Sequence, residues 1–329
     1  MNKFFNLEKP NAVREAAEKK KGLHWALELL VFIAVFLAAT IMESLILTPG
    51  QLILCYSNAD YREAAMALDI ERLMEVTLEL TSTNAYMILM LFANVGMILA
   101  VCLFCRLLQK RSLKTLGFRK GGIVKEYCVG LCVGFAAFSA AVLLCVVSGS
   151  LKLVGMTPAF SLGLFLLYTV GFLIQGMAEE VLCRGYFMIS VARRYPIALG
   201  ILANALFFAM LHLLNSGITV LAFCNLTLFG IFASIYFVRR GSIWGIGALH
   251  SIWNLAQGNL YGIKVSGMQM DCSILQSEMV AGKELWNGGA FGLEGGLAVT
   301  IVLTLGIVIL LLMKNKETAA ELQAAEAAV

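Results

Sequence analysis

The chain has 329 residues, of which 60% are hydrophobic and only 14% are charged. Soluble domains average about 25% charged residues, so this composition excludes a soluble globular protein and predicts an integral membrane protein. The net charge of +4 says little about partners, whereas the distribution of the charges along the chain is informative.

Eight apolar runs approach the length of about 20 residues that a helix needs to cross a bilayer. In chain order they are Trp25 to Leu47, Ala85 to Leu108, Tyr127 to Val147, Leu162 to Leu182, Ile197 to Leu214, Ile218 to Val238, Ile243 to Leu260 and Leu297 to Met313. We therefore predict an all-α, polytopic membrane protein with about eight transmembrane helices.

A polar segment at about 49–84 separates the first two runs. Its apolar residues Met66, Ile70, Leu73 and Leu80 recur at helical spacing among acidic residues. This pattern predicts an amphipathic helix that lies against the outer membrane surface.

Basic residues between the runs predict the orientation of the chain. They follow the second, fourth, sixth and eighth runs, as Arg106, Lys110, Arg111, Lys114, Arg119, Lys120 and Lys125, then Arg193 and Arg194, then Arg239 and Arg240, then Lys314 and Lys316. Because cytosolic loops are enriched in Lys and Arg, both termini are predicted to lie in the cytosol. The segments at 1–24 and 314–329 are then cytosolic. We expect the Ala-rich segment at 314–329 to form a short helix.

The nine cysteines do not have the spacing of a metal site or a disulfide framework. Cys102 and Cys105 form a C-x-x-C pair inside an apolar run, where cysteine acts as a small hydrophobe. Cys55 and Cys272 lie in polar loops, and nothing in the sequence supports a bridge between them.

The fourth run contains Glu179, Glu180 and Arg184. An ionised group at the bilayer centre costs roughly 2.5–3.5 kcal/mol, so such groups persist where partners or function hold them. A spacing of four lets Glu180 and Arg184 pair along one helical face. Glu179 points about 100° away from Glu180. The pattern therefore predicts a structural role for Arg184 and leaves Glu179 available for chemistry.

Two histidines, His212 and His250, lie in the fifth and seventh runs. The residues around them recur at helical spacing. Asn204, Phe208 and His212 share one face, and His250, Asn254 and Gln257 share another. Gln175 precedes Glu179 by four residues. Polar stripes on membrane helices turn away from lipid, so we expect these three stripes to meet.

The fourth and fifth runs are predicted to form an antiparallel hairpin that turns between Tyr195 and Pro196. Residues at equal depth then have numbers that sum to about 391, as Glu179 and His212 do (179 + 212 = 391). A carboxylate beside histidines in a dry pocket suits the activation of water, and histidine and asparagine donors suit an oxyanion site. The constellation fits hydrolysis of an amide.

Zinc is the alternative interpretation, since two histidines and a carboxylate form a known catalytic zinc set. Its ligands would be His212, His250 and either Glu179 or Glu180. No H-E-x-x-H motif pre-positions the histidines, and no G-x-S-x-G or Walker-type loop occurs in a suitable context.

The segment from Trp286 to Gly296 is rich in glycine and leads into the last run. We interpret it as a tight turn that enters the membrane. This interpretation is preferred over a catalytic Glu294, because glycine marks turns more often than sites.

Three short motifs occur in order on the fourth, fifth and seventh predicted spans. They are Glu179-Glu180-Val181-Leu182-Cys183-Arg184, then Phe208-Ala209-Met210-Leu211-His212, then His250-Ser251-Ile252-Trp253-Asn254. This pattern resembles the CAAX protease and bacteriocin-processing (CPBP, or Abi) family of intramembrane endopeptidases, which includes the type II CAAX prenyl endopeptidases. Its motifs are E-E-x-x-x-R, F-x-x-x-H and H-x-x-x-N or H-x-x-x-D. The resemblance covers roughly Leu162 to Leu260.

The resemblance implies roles for matching residues. Glu179 would be the general base, His212 would position the water or the glutamate, and His250 and Asn254 would line the oxyanion site. Glu180, Arg184 and Phe208 would support this arrangement. The family has been described both as metalloproteases and as glutamate proteases, and we favour the glutamate mechanism without a cofactor, since the sequence offers no metal site beyond the same residues.

The resemblance also implies the domain organisation. Helices four to seven (161–262) would form the protease bundle, residues 25–160 would hold helices one to three, and residues 263–313 would hold the Gly-rich extracytoplasmic loop and the last helix. We expect a bacterial plasma membrane and a membrane-embedded or lipophilic peptide substrate, with no nucleic-acid partner.

Two other functions stay open at the level of sequence. One is a non-catalytic membrane partner, such as a bacteriocin immunity protein of the same family. The other is a proton-coupled transporter that uses Glu179, His212 and His250 as a relay. The chain has no visible repeat symmetry, which disfavours the transporter.

Overall fold

The computed structural model describes residues 7–158 and 160–313. Its helices are α1 (Asn11–Lys19), α2 (Trp25–Ser57), α3 (Ala59–Ala67), α4 (Ile70–Thr81), α5 (Asn84–Ala93), α6 (Val95–Leu103), α7 (Ile123–Val147), α8 (Leu162–Glu180), α9 (Ile189–Ala192), α10 (Ile197–Met210), α11 (Val220–Arg240), α12 (Ile243–Leu255), α13 (Glu284–Asn287) and α14 (Leu297–Leu312). Two short strands, β1 (Leu151–Met156) and β2 (Leu275–Met279), pair antiparallel. The tail predicted at 314–329 lies outside the described residues.

The chain is an all-α, polytopic membrane protein, as its composition predicts. Five helical segments are long and apolar enough to cross a membrane; they are Trp25–Ser57, Asn84–Leu108, Ile123–Val147, Leu162–Ala192 and Val220–Arg240. The fifth, seventh and eighth predicted runs form the shorter helices α10, α12 and α14, of 14, 13 and 16 residues. The total of eight spans therefore stays a prediction.

Helix α2 extends past its predicted end at Leu47 and continues through Pro49 to Ser57. The amphipathic segment then forms two helices rather than one. The break falls at Leu68, which has a left-handed backbone (φ 55°), and at Asp69, whose carboxylate caps α4 by accepting a hydrogen bond from the Arg72 N–H. On α4, Ile70, Met74 and Leu78 are exposed on one face, as expected for a surface helix.

Three helices contain π-helical turns, in which each backbone N–H bonds five residues back. These turns are Phe104–Leu108, Val181–Met188 and Ala256–Leu260. The second one follows α8 directly and continues into α9, so this helix ends at Ala192 rather than at the predicted Leu182. π-Turns occur frequently at functional sites, and two of the three lie beside the predicted motifs.

Helix α12 is the centre of the bundle and packs against α7 on one side and α8 on the other. Glycines on the neighbouring helices permit this close approach. An added Cβ at Gly130 or Gly134 of α7 would overlap the carbonyl oxygens of Gly245 and Leu249, and one at Gly176 of α8 would lie 2.6 Å from the Ser251 nitrogen. The position of α12 is therefore fixed by backbone contact on both sides.

The basic loops gather at one end of the bundle. Arg193 pairs with Glu28 at the start of α2 (3.1 Å), and Arg240 pairs with Glu126 at the start of α7 (2.9 Å). Arg239 donates from Nε to the Leu310 carbonyl oxygen (2.9 Å), where the last carbonyls of α14 need partners. These arginines thus connect helix ends in addition to marking the predicted cytosolic side.

The opposite end is closed by loops that carry few basic residues. Strands β1 and β2 join the segment after α7 to the segment before α13. The Asn215 amide donates to the Ser266 carbonyl oxygen (3.0 Å), which ties the turn after α10 to the long loop after α12. All nine cysteines are free thiols, including Cys55 and Cys272.

Replacement of Gly130 by alanine is expected to destabilise the bundle, because the new methyl group overlaps the Gly245 carbonyl oxygen. Overpacking of this kind typically costs about 1–3 kcal/mol. The melting temperature of the detergent-solubilised protein should therefore fall. Gly121→Ala is the matched control, since an added Cβ there meets nothing within 4 Å. Equal melting temperatures for the two variants would contradict the close packing of α7 on α12.

Candidate active site

A cavity of about 150 Å³ lies inside the bundle, where α8, α10, α11 and α12 converge. Its volume is sufficient for several water molecules. Its polar wall consists of Glu43, Asn94, Gln175, Glu179, His212, Asn215, His250, Asn254, Ser266 and Glu294. The remaining lining is apolar and includes Phe172, Phe208, Leu226, Phe229 and Met268.

The structure brings the predicted site residues together. Glu179, Phe208, His212, His250 and Asn254 all line this cavity, although they come from three segments of the chain. The two other predicted residues, Glu180 and Arg184, lie behind the cavity wall and are fully buried.

Glu180, Arg184 and His250 form a buried hydrogen-bonded network. Arg184 donates from Nη1 to Glu180 Oε1 at 2.8 Å, which is the pairing that their spacing of four predicts. The His250 ring places Nδ1 at 2.8 Å from the same oxygen, so Nδ1 carries a proton and donates it to the carboxylate. This network fixes the orientation of the His250 ring and directs Nε2 toward Glu179, whose Oε2 is 3.7 Å away.

Helices α10 and α11 complete the surroundings of the Arg184 guanidinium. The Phe208 ring lies beneath it, with its centroid 4.6 Å from Cζ, and Nη2 donates to the Gly230 carbonyl oxygen at 3.4 Å. With the Asn204 amide nitrogen donating to the Cys183 carbonyl oxygen, the Asn204 amide oxygen accepts from Arg184 Nε at 3.3 Å. Three helices, namely α8 with its π-helical continuation, α10 and α11, are therefore joined through one arginine.

Glu179 is held on one side only. Its Oε1 accepts a hydrogen bond from the Gln175 side chain, and Gln175 in turn accepts one from the Asn254 amide at 3.0 Å. Its Oε2 has no hydrogen-bond partner among the described residues. The Glu179 side chain is 22% exposed, whereas Glu180 is completely buried. The two adjacent glutamates thus have the different environments that the helical spacing predicts.

His212 occupies a different local structure from the predicted one. The sequence places it on a helical face with Phe208, but α10 ends at Met210 and His212 lies in the following turn. The His212 backbone N–H bonds to the Ala209 carbonyl oxygen, and its ring Nδ1 lies 2.8 Å from the Phe208 carbonyl oxygen. The His212 ring thus occupies the Phe208 carbonyl oxygen, which would accept from the His212 backbone N–H if the helix continued. Because a carbonyl only accepts, Nδ1 is the protonated nitrogen, and in the neutral ring this leaves the lone pair on Nε2.

Several cavity residues are not among the predicted set, and three of them bear on the chemistry of the site. From the sequence, Gln175 is only a polar residue on the same helical face as Glu179. Its contact with Asn254 depends on how α8 packs against α12. Glu43 lies in α2, in the first apolar run, where the cost of an intramembrane charge would have identified it. Glu294 lies in the Gly-rich segment, which does form tight turns, as predicted. Its Oε2 accepts from the Ser266 N–H at 2.9 Å and from the Ser266 hydroxyl at 2.7 Å.

A zinc site would need several donors that converge on one point. Within 7–158 and 160–313, no three His, Cys, Asp or Glu side chains are arranged to share a metal ion. His250 Nδ1 and Glu180 Oε1 are already bonded to each other. Glu179, His212 and the Nε2 atom of His250 line the cavity without being grouped around one point.

The fold and the site define a polytopic membrane protein whose helices enclose a polar cavity that carries carboxylates and histidines. Residues 161–256 match the family described as type II CAAX prenyl endopeptidase Rce1-like. The match confirms the resemblance to the CAAX-protease (CPBP) family over this part of the chain, and that family indicates a protease. Comparison with the curated proteins and with the solved structures gives no match.

Arg184→Ala is expected to lower the stability of the folded protein in addition to its activity. The substitution leaves Glu180 buried without its partner, and breaking a buried pair typically costs about 3–5 kcal/mol. Thermal melting in detergent measures the effect. Arg72→Ala is the control, because the pairs of Arg72 with Asp60 and Glu75 are exposed and such pairs contribute about 0–1 kcal/mol. If Arg184→Ala melted like the wild type, the network would not be a structural element.

Proposed function

We propose that the protein is an intramembrane endopeptidase in which Glu179 activates a water molecule for attack on a peptide bond. The observation that carries this proposal is that only one oxygen of the Glu179 carboxylate accepts a hydrogen bond from the described residues. Gln175 holds one oxygen, and the other oxygen has no partner beside a cavity with room for water. An ionised carboxylate in such a place is a suitable general base.

His212 supports the same step. Its Nε2 has a lone pair, because Nδ1 is committed to the Phe208 carbonyl oxygen. A water molecule between Glu179 and His212 would donate one hydrogen to each of them and would direct an oxygen lone pair at the substrate carbonyl. Glu179 then accepts the proton as the new carbon–oxygen bond forms.

His250 and Asn254 are the proposed oxyanion donors. The His250 ring is held by Glu180 on its far side, and as an imidazolium it would donate from Nε2 to the oxyanion. The Asn254 amide has two N–H groups, of which one bonds to Gln175. Loss of one such donor typically lowers kcat by about 10²–10³-fold.

The substrate that we infer is a membrane-embedded or lipophilic peptide. The cavity lies among helices that are apolar on their outer faces, and Phe172, Phe208 and Phe229 contribute apolar surface to its lining. The Rce1-like relatives are prenyl endopeptidases, and the part of that activity proposed for this chain is cleavage of a peptide bond in a lipophilic substrate. We further infer a bacterial plasma membrane with both termini cytosolic, which the basic loops at one end of the bundle support.

Glu179→Gln is expected to lower peptide cleavage by at least ~10²-fold while the protein remains folded, because glutamine cannot accept the proton from water. The measurement is cleavage of hydrophobic quenched peptides by the purified protein, with thermal melting as the test of folding. Glu278→Gln is the control, because Glu278 is exposed on β2. Wild-type cleavage in Glu179→Gln, together with lost cleavage in a stably folded Glu180→Gln, would reverse the roles of the two glutamates.

Cleavage is also expected to survive exhaustive chelation, since the proposed base and donors act without a metal. The measurement is peptide cleavage before and after treatment with chelator, combined with elemental analysis of the purified protein. About one zinc per chain, with activity lost to chelator and restored by zinc, would overturn the glutamate mechanism.

A further inference from the structure

A third carboxylic acid faces the proposed reaction site from the first membrane helix. Glu43 lies in α2, is half-buried and lines the same cavity as Glu179, His212 and His250. It belongs to none of the three sequence motifs. The mechanism proposed above gives it no task.

The packing of α2 on α6 fixes the position of Glu43. An added Cβ at Gly96 of α6 would lie 2.9 Å from the Glu43 nitrogen and 2.9 Å from the Met42 carbonyl oxygen, so the two backbones are in contact there. Asn94, which immediately precedes α6, lines the cavity beside them. The backbone at Glu43 is thus held beside the cavity that its side chain lines.

The charges around the cavity distinguish Glu43 from the other acids. The lining includes three carboxylic acids, Glu43, Glu179 and Glu294, and two histidines, but no Lys or Arg. Glu294 is held by Ser266. For Glu43, the described part of the chain provides no hydrogen bond or ion pair, and its side chain shares a cavity of about 150 Å³ with that of Glu179.

Two carboxyl groups that share one small cavity favour the state in which one of them holds a proton. Glu179 must be ionised to accept a proton from water, and Gln175 donates a hydrogen bond to it. Glu43, which has no such donor among the described residues, is then the member of the pair that would hold the proton. The cavity then contains an ionised base and a neutral acid, which is the combination that amide hydrolysis requires.

We propose that Glu43 is a further catalytic residue, the general acid that protonates the leaving nitrogen of the scissile amide. This inference rests on the proposed function. Water adds to the carbonyl carbon and gives its proton to Glu179. When the carbon–nitrogen bond breaks, the nitrogen takes the proton of Glu43 and leaves as a neutral amine. Transfer of the proton from Glu179 to Glu43 through cavity water restores the starting state, and the net reaction consumes one water.

The test compares two leaving groups in one peptide. The probes are a quenched hydrophobic peptide that the wild type cleaves and the same peptide with sulfur in place of the scissile NH. A thiolate leaves without being protonated, whereas an amine does not. Glu43→Gln should lower amide cleavage by ~10²-fold or more and leave thioester cleavage close to the wild-type rate. Glu179→Gln should lower both, because both substrates need the activated water.

Two further variants keep the test decisive. Glu43→Asp retains a carboxylic acid and should recover part of the amide cleavage lost in Glu43→Gln. Ser44→Ala is the matched control on α2, since Ser44 is exposed and bonds only to the Thr40 carbonyl oxygen. Melting temperatures of all variants separate lost chemistry from lost folding.

Equal loss of amide and thioester cleavage in Glu43→Gln, or no loss of either, would overturn the assignment of Glu43 as the acid. An unselective loss would indicate a structural or substrate-binding role. These outcomes differ from failure of the proposed function, in which the wild type cleaves neither probe or Glu179→Gln remains active. That result would remove the basis for this inference as well.

Discussion

Burial of the Arg184 guanidinium inside a membrane bundle constrains the arrangement of every helix around it. An ionised group at this depth costs roughly 2.5–3.5 kcal/mol, so its donors must be satisfied by the protein. The structure meets this requirement with the Glu180 carboxylate, the Gly230 carbonyl oxygen and the Phe208 ring. Because these partners belong to α8, α11 and α10, the helices take positions that also orient His250 through Glu180. The geometry of the proposed site therefore depends on a charge that does not line the cavity.

The part of the site that could be predicted is the part set by spacing within one helix. Glu180 and Arg184 pair because they are four residues apart, and Glu179 is left facing another direction for the same reason. The predicted hairpin between the fourth and fifth runs also placed Glu179 and His212 at the same depth, because the rise per residue of a helix depends little on sequence. Local periodicity carries this information without any knowledge of the tertiary contacts.

The remainder depends on contacts between segments that are distant in the sequence. His212 was placed on a helix because its run is apolar to Leu214, yet its own side chain competes for the Phe208 carbonyl oxygen and the helix ends. Glu43 was missed because it belongs to no motif and reaches the cavity only through the contact of α2 with Gly96. The predicted ends of α2 and α8 differ from the observed ones. The length of an apolar run does not predict that a helix continues through Pro49 or through a π-helical turn.

The early end of α10 has a consequence for the surrounding lipid. Its 14 residues extend for only about 21 Å, less than the roughly 30 Å of a bilayer's hydrocarbon core. Leu199, Leu202 and Leu206 are exposed along its outer face, and Leu214 beyond its end is 99% exposed. A bilayer accommodates such a hydrophobic mismatch by thinning locally. A lipophilic peptide that approaches along α10 would meet a shallower and softer membrane just where the chain turns inward to line the cavity.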